Sequence, residues 1–202
     1  VEAGHDVWLC DARAEHAEKL AAERKVCCVP LPAMAEQASA ISTVILMLPD
    51  STAVEAVLTG GPGGGLLPRL PRGALVIDMS SSLPSATIQL AARAKQLGVE
   101  FLDAPVSGGV ARAMTGELSI MVGGSELGVR RAGPLLNVLG TQITHVGSVG
   151  AGHAMKALNN LLSAVGMVAA AEVLAVGTKF GLDPQVMLDV LNASTGGNQA
   201  TR

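Results

Sequence analysis

A chain of 202 residues, 49% hydrophobic and with a formal net charge of −3, is long enough for one full domain and part of a second, at roughly 100–200 residues per domain. Its aliphatic content and low net charge exclude a disordered segment. With no tyrosine, one tryptophan, two phenylalanines and 14 Lys+Arg against 17 Asp+Glu, it offers neither rings for bases to stack on nor surplus cations for phosphates, which speaks against nucleic acid as a partner.

The chain opens Val1-Glu2-Ala3-Gly4 without a methionine. Gly4, directly before an apolar run, reads as the glycine that closes a helix, so residues 1–3 read as a helix's last turn and the chain as a fragment. Strand-length apolar runs follow at residues 7–10, 26–29, 43–48, 74–79, 100–103, 118–122 and 143–146. Between them, residues 12–23 are strong helix formers, 51–58 start on a capping serine, and 84–97 start on a proline suited to a first helical turn. A crossover after each strand predicts an α/β fold with a mainly parallel sheet. The patch Gly60-Gly61-Pro62-Gly63-Gly64-Gly65 lacks the Gly-Lys-Ser/Thr of a phosphate loop and reads as a flexible connection.

From residue 151 to 180 the chain is almost unbroken helix former, and a helix of ~30 residues would run ~45 Å at 1.5 Å per residue. That is too long to lie on one sheet, so it is expected to link residues 1–150 to an all-α domain that begins near Asp183, after the stop signal Gly181-Leu182-Asp183-Pro184. Its longest apolar run, residues 161–171, is broken by Ser163 and Gly166 and closed by Glu172, short of the ~18 apolar residues of a membrane span. A buried helix, and no membrane, is the expectation. Because the helix is apolar on nearly every side, it also predicts cover from further helices or a second subunit, hence a homo-oligomer, dimer or tetramer. Three cysteines, two of them adjacent at Cys27 and Cys28, make neither a spaced disulfide framework nor a metal site, and a reducing, cytoplasmic setting is the default.

Three groups of residues carry chemistry, and a fourth only imitates one that would. Asp11 ends the first strand, where an acid in dinucleotide-binding folds accepts the ribose hydroxyls of NAD and disfavours the 2′-phosphate of NADP; position alone favours the plainer role of N-cap to the helix from Ala12. Ser107-Gly108-Gly109 follows a strand and a proline turn, and successive glycines let backbone N–H groups converge on an anion such as a carboxylate, although such a turn is also a common plain loop. Lys156 and Asn160 are four apart on the long helix and share a face. A lysine there can exchange a proton with an alcohol while an amide holds the oxygen; helical lysines are usually solvated, but this one has apolar flanks. Finally, Gly147-Ser148-Val149-Gly150-Ala151-Gly152 imitates a dinucleotide loop, but its glycines run GxxGxG rather than GxGxxG.

Met47-Leu48-Pro49, Asp78-Met79-Ser80-Ser81 with Pro84, Asp103 to Gly109, Gly116 to Gly124, and Gly150-Ala151-Gly152 leading to Lys156 and Asn159-Asn160 together resemble the β-hydroxyacid dehydrogenases, in family order over essentially the whole chain. The resemblance implies a Rossmann-type sheet, a long linking helix and the start of an all-α domain. It implies Lys156 as catalytic lysine, Ser107, Gly108, Gly109 and Asn160 as substrate-binding, and Leu48, Pro49 and Ser81 lining NAD, with Asp11 selecting it over NADP. The expected reaction interconverts a small β-hydroxy acid and its semialdehyde. Ala53, where some relatives have asparagine, and Ser81, where threonine is commoner, depart from the pattern. The family's glycine fingerprint and much of its C-terminal domain fall outside these residues. Two other readings are a catalytically inactive binding protein on the same fold and an enzyme like 6-phosphogluconate dehydrogenase; against the second, Asn159 replaces the histidine of Lys-x-x-His-Asn and no basic cluster awaits a sugar phosphate.

Overall fold

The computed structural model describes residues 3–60 and 65–202. Residues 61–64 of the expected glycine-rich connection, and Val1 and Glu2 of the expected last helical turn, lie outside the described residues. The chain divides into two compact units, Val1–Ala154 and Met155–Arg202.

In the first unit, β1 (Trp8–Leu9), α1 (Ala14–Arg24) and β2 (Cys27–Cys28) form a small parallel β-α-β pair, with Trp8 opposite Cys27 and Leu9 opposite Cys28. Both strands are shorter than their apolar runs, and among the described residues their sheet is two-stranded. A short α2 (Leu31–Glu36) leads to β3 (Thr43–Leu46), α3 (Ser51–Thr59), β4 (Leu75–Asp78), α4 (Pro84–Gln96) and β5 (Glu100–Asp103), and β3-β4-β5 pair in parallel. β4 is buried along its whole length, and its side chains alternate between two hydrophobic clusters. Val76 joins Phe101 and Leu90 on one side, while Leu75 and Ile77 join Leu102 and Ile120 on the other. A strand covered on both faces has no polar side, which is why its sequence is an unbroken apolar run up to Asp78.

The sheet continues through β6 (Val106–Ser107), α5 (Gly109–Thr115), β7 (Leu118–Gly123), α6 (Glu126–Leu139) and β8 (Gly140–Gly147). Here the expectation of a crossover after each strand fails: β7 runs antiparallel to β5 and β6 and parallel only to β8. Asp103↔Gly123, Val106↔Ile120 and Ser107↔Ser119 keep one register, so β5 and β6 are one strand interrupted at Ala104-Pro105, where proline has no N–H for the ladder. Helix α6 has no counterpart in the sequence reading, because Gly133 and Pro134 stand at its centre. Pro134 is exposed, and the buried stripe Gly128, Ala132 and Leu136 holds the helix in place.

The second unit holds most of α7 (Ala151–Phe180) and α8 (Pro184–Ala193). Asp183 caps α8 by accepting from Gln185 N at 2.9 Å and Val186 N at 3.1 Å, and Gly177 leaves space into which Met187 packs. The expectation that residues 161–171 are buried is overturned: Leu161 is 61% and Leu162 75% exposed. Nothing among the described residues covers these faces. By length and composition α7 also passes as a membrane span; Ser163 and Gly166 interrupt the apolar run without making the helix polar on average.

Candidate active site

In open parallel sheets ligands bind beyond the carboxyl ends of the strands, and Leu48, Pro49, Ser81 and Ser107–Gly109 follow strands of the six-stranded sheet. Leu48 follows β3 and Ser81 follows β4, and their turns are stitched together. Leu48 N donates to Ser80 Oγ at 2.9 Å, and Ser81 N donates to the Leu48 carbonyl at 3.4 Å. The structure thus brings Leu48, Pro49 and Ser81 to one edge, with Leu48 half-buried and the other two exposed. Next in line, Asp50 caps α3 through Ala53 N at 2.9 Å, and Ser51 Oγ accepts from Leu83 N at 2.7 Å.

The Ser107-Gly108-Gly109 turn leaves the same sheet at the end of β6. Gly108 and Gly109 both have positive φ, 135° and 65°. A β-carbon on Gly108 would lie 2.9 Å from both Cβ and Cδ of Arg112, so glycine is required here, and the aliphatic stem of an arginine lies against the turn. Ser107 is half-buried and both glycines are exposed.

Asp11 is exposed and is not the cap of α1. The helix begins at Ala14, and its N-cap Arg13 has no side-chain bond. Instead the Asp11 carboxylate accepts from Arg13 N at 2.8 Å and pairs with Arg13 Nε at 3.6 Å. The Arg13 backbone N–H holds the Asp11 carboxyl below its ordinary range, so it is ionised at neutral pH. It lines a hollow of about 150 Å³ with Ala14, Glu18, Cys28, Val29 and Pro30, smaller than the roughly 300–1,000 Å³ of a whole ligand pocket. That size suits a subsite. Burial, followed by the neighbouring Cys28 and Asp11, pushes the Cys10 thiol up, which keeps it protonated and a poor nucleophile.

Beneath the stitched turns lies a polar cluster that the sequence reading did not place in the site. Asp78 and Asp103 are register partners on β4 and β5; both are fully buried, and His153 is 2% exposed. Asp103 accepts from Gly150 N at 2.7 Å and His153 N at 2.8 Å. This explains the glycine turn that imitates a dinucleotide loop: it lets the start of α7 approach the sheet, and a β-carbon on Gly152 would meet the Met121 carbonyl oxygen at 2.5 Å. The available signal was a histidine among alanine, glycine and methionine at an apolar helix start.

Lys156 and Asn160 belong to the second unit, where Lys156 is half-buried and Asn160 exposed. Their spacing on α7 puts them on one helical face.

Residues 1–147 match a family described as the NAD binding domain of 6-phosphogluconate dehydrogenase, and residues 150–202 one described as the NAD-binding of NADP-dependent 3-hydroxyisobutyrate dehydrogenase. The chain is 45% identical over 157 residues to a 3-hydroxyisobutyrate dehydrogenase of Pseudomonas aeruginosa, covering 78% of this chain and 52% of that one. It is 42% identical over 163 residues to a 2-(hydroxymethyl)glutarate dehydrogenase of Eubacterium barkeri, covering 81% and 54%. A solved structure of Mycobacterium tuberculosis 3-hydroxyisobutyrate dehydrogenase with L-serine superimposes with a TM-score of 0.87 at 34% identity, covering 98% of this chain and 66% of that one. The chain belongs to the β-hydroxyacid dehydrogenase family, and its first unit is an NAD-binding domain of Rossmann type. It spans about half the length of the curated relatives it matches.

Proposed function

We propose that the protein is an NAD-dependent oxidoreductase that interconverts a small β-hydroxy acid and its semialdehyde. The observation that carries this reading is the stitching of the Leu48 and Ser81 turns beyond the ends of β3 and β4, with the Ser107–Gly109 turn following β6 in the same sheet. The first unit fits a dinucleotide: an ionised carboxylate lines a hollow beside α1, and paired turns offer apolar and hydroxyl groups at the strand ends. When bound, NAD supplies the hydride acceptor.

In this reading residues 1–150 carry the cofactor, and residues 151–202 are the linking helix and the beginning of a helical domain. Ser107, Gly108 and Gly109 hold the substrate carboxylate. Lys156 Nζ takes the hydroxyl proton as the carbon gives up its hydride, and Asn160 holds the oxygen as the carbonyl forms. In the reverse direction Lys156 returns the proton. Asp11 accepts the ribose hydroxyls and repels a 2′-phosphate, which makes NAD the preferred cofactor. The apolar faces of α7 are covered in a homo-oligomer, not by lipid, and three thiols without a spaced framework favour a reducing, cytoplasmic compartment.

The test is NADH formation by the intact protein with 3-hydroxyisobutyrate, 2-(hydroxymethyl)glutarate and L-serine. Turnover of at least one is expected. NADH binding with no turnover of any hydroxy acid would favour the inactive binding protein, and turnover of 6-phosphogluconate alone would favour the sugar-phosphate reading.

A further inference from the structure

His153, 2% exposed, is a buried titratable side chain that the proposed chemistry leaves unused, and its bonds lead to the cofactor turns. The Ser80 carbonyl can only accept, so His153 Nε2–H, 3.1 Å away, is the donor. On the other side of the ring, Nδ1 lies 2.8 Å from Thr87 Oγ1 on α4, and the backbone N–H is held by Asp103. The ring stands between two buried carboxylates, 3.7 Å from Asp103 Oδ2 and 4.0 Å from Asp78 Oδ2. Ser80 continues the chain: its N–H donates to Asp78 Oδ1 at 3.0 Å, and its Oγ accepts from Leu48 N.

We infer that His153, acting through Ser80, is a positioning residue for the NAD site, setting the backbone of the Leu48–Pro49 and Ser80–Ser81 turns from below. It rests on the proposed function, which puts NAD against these turns. Pro49 and Ser81 are exposed, so no apolar cover fixes them, and the Ser80–Leu48 bond ties one turn to the other. An imidazole suits the place because its two nitrogens face opposite ways and engage Thr87 and Ser80 at once. The residue touches no reacting atom; it acts through Ser80.

The experiment compares His153→Ala, Ser80→Ala, the double variant, His153→Gln and Leu136→Ala in the intact protein, measuring the dissociation constant of NADH by fluorescence titration beside the melting temperature. Leu136 is fully buried in the hydrophobic cluster on the other side of the sheet and reports general destabilisation. His153→Ala and Ser80→Ala should each weaken NADH about tenfold, and the double variant little more than either, because both break one chain of bonds. His153→Gln, which retains a donor for Ser80, should recover part of the loss, and Leu136→Ala should melt early with NADH affinity unchanged. Should His153→Ala not fold, Ser80→Ala against Leu136→Ala still decides. Unchanged affinity in the folded network variants, losses that multiply in the double variant, or an equal loss in Leu136→Ala would overturn the inference alone. Wild-type protein that binds no NADH would overturn the proposed function and this inference with it.

Discussion

The carboxylate of Asp103 accepts the backbone N–H of Gly150 at 2.7 Å, across 47 residues of chain. Together with its bond from His153 N, it satisfies amides at the start of α7 that have no partner within the helix, and it places negative charge at the positive end of the helix dipole.

Asp103→Asn should therefore be costly although nearly isosteric. Its one carbonyl oxygen cannot replace two charged acceptors, and a buried donor left without a partner costs about 1–3 kcal/mol. A fall in the denaturation midpoint of that scale is expected, with the dependence on denaturant unchanged. A midpoint equal to wild type would show that the amides find other partners.

Gly108→Ala places a methyl group against the Arg112 stem at a positive φ, a strain of about 1–3 kcal/mol. Steady-state kinetics should show a rise in KM for the hydroxy acid of about tenfold or more, with the KM for NAD little changed. Equal rises in both would detach the turn from the substrate.

Lys156→Ala in the intact protein should lower kcat by ~10²-fold or more, the usual scale for a general acid–base residue, while NAD still binds. Turnover within about threefold of wild type would remove Lys156 from the chemistry.

Cofactor choice should rest on the Asp11 charge. Asp11→Ala should narrow the NAD over NADP preference in kcat/KM. The Arg13 N–H lowers the Asp11 pKa, so the group stays charged as pH falls, until the pH drops below the ordinary carboxylate range. The preference should accordingly persist from neutral to mildly acidic solution. A preference that decays at mildly acidic pH would assign it to another group.

Sedimentation of the intact protein should show an oligomer, because Leu158, Leu161, Leu162 and Val165 on α7 are each more than half exposed in the single chain, at ~25 cal/mol for each Å² of apolar surface left in water. A clean monomer at micromolar concentration would defeat this.

Strong apolar runs and helix signals were legible in the sequence. β5 ends where its run does, at Asp103, and α7 spans the whole stretch without a breaker. Features governed by contacts distant in sequence were not. The antiparallel placement of β7 depends on which edge is free, information no local window contains. Helix α6 is held by a buried stripe that outweighs Gly133 and Pro134. Among the candidate residues, Ser107–Gly109 and the Leu48 and Ser81 turns stand out in the sequence because they follow strand ends in the family's order. His153 does not, because its meaning lies in Ser80, Thr87 and two aspartates from three other elements. Asp11 lies just before α1, and its bond to Arg13 N rather than a helix cap depends on where the first turn begins.

Because β5 and β6 share one register with β7, the number of residues between Asp103 and Val106 is fixed independently of their identity. Side chains alternate between sheet faces, so inserting or deleting a single residue at Ala104-Pro105 would turn Ser107 to the opposite face or slide β6 along β7. Variant libraries aimed at new substrates can therefore exchange side chains along this stretch, whereas length variation belongs beyond Thr115, where the Gly116 turn separates α5 from β7.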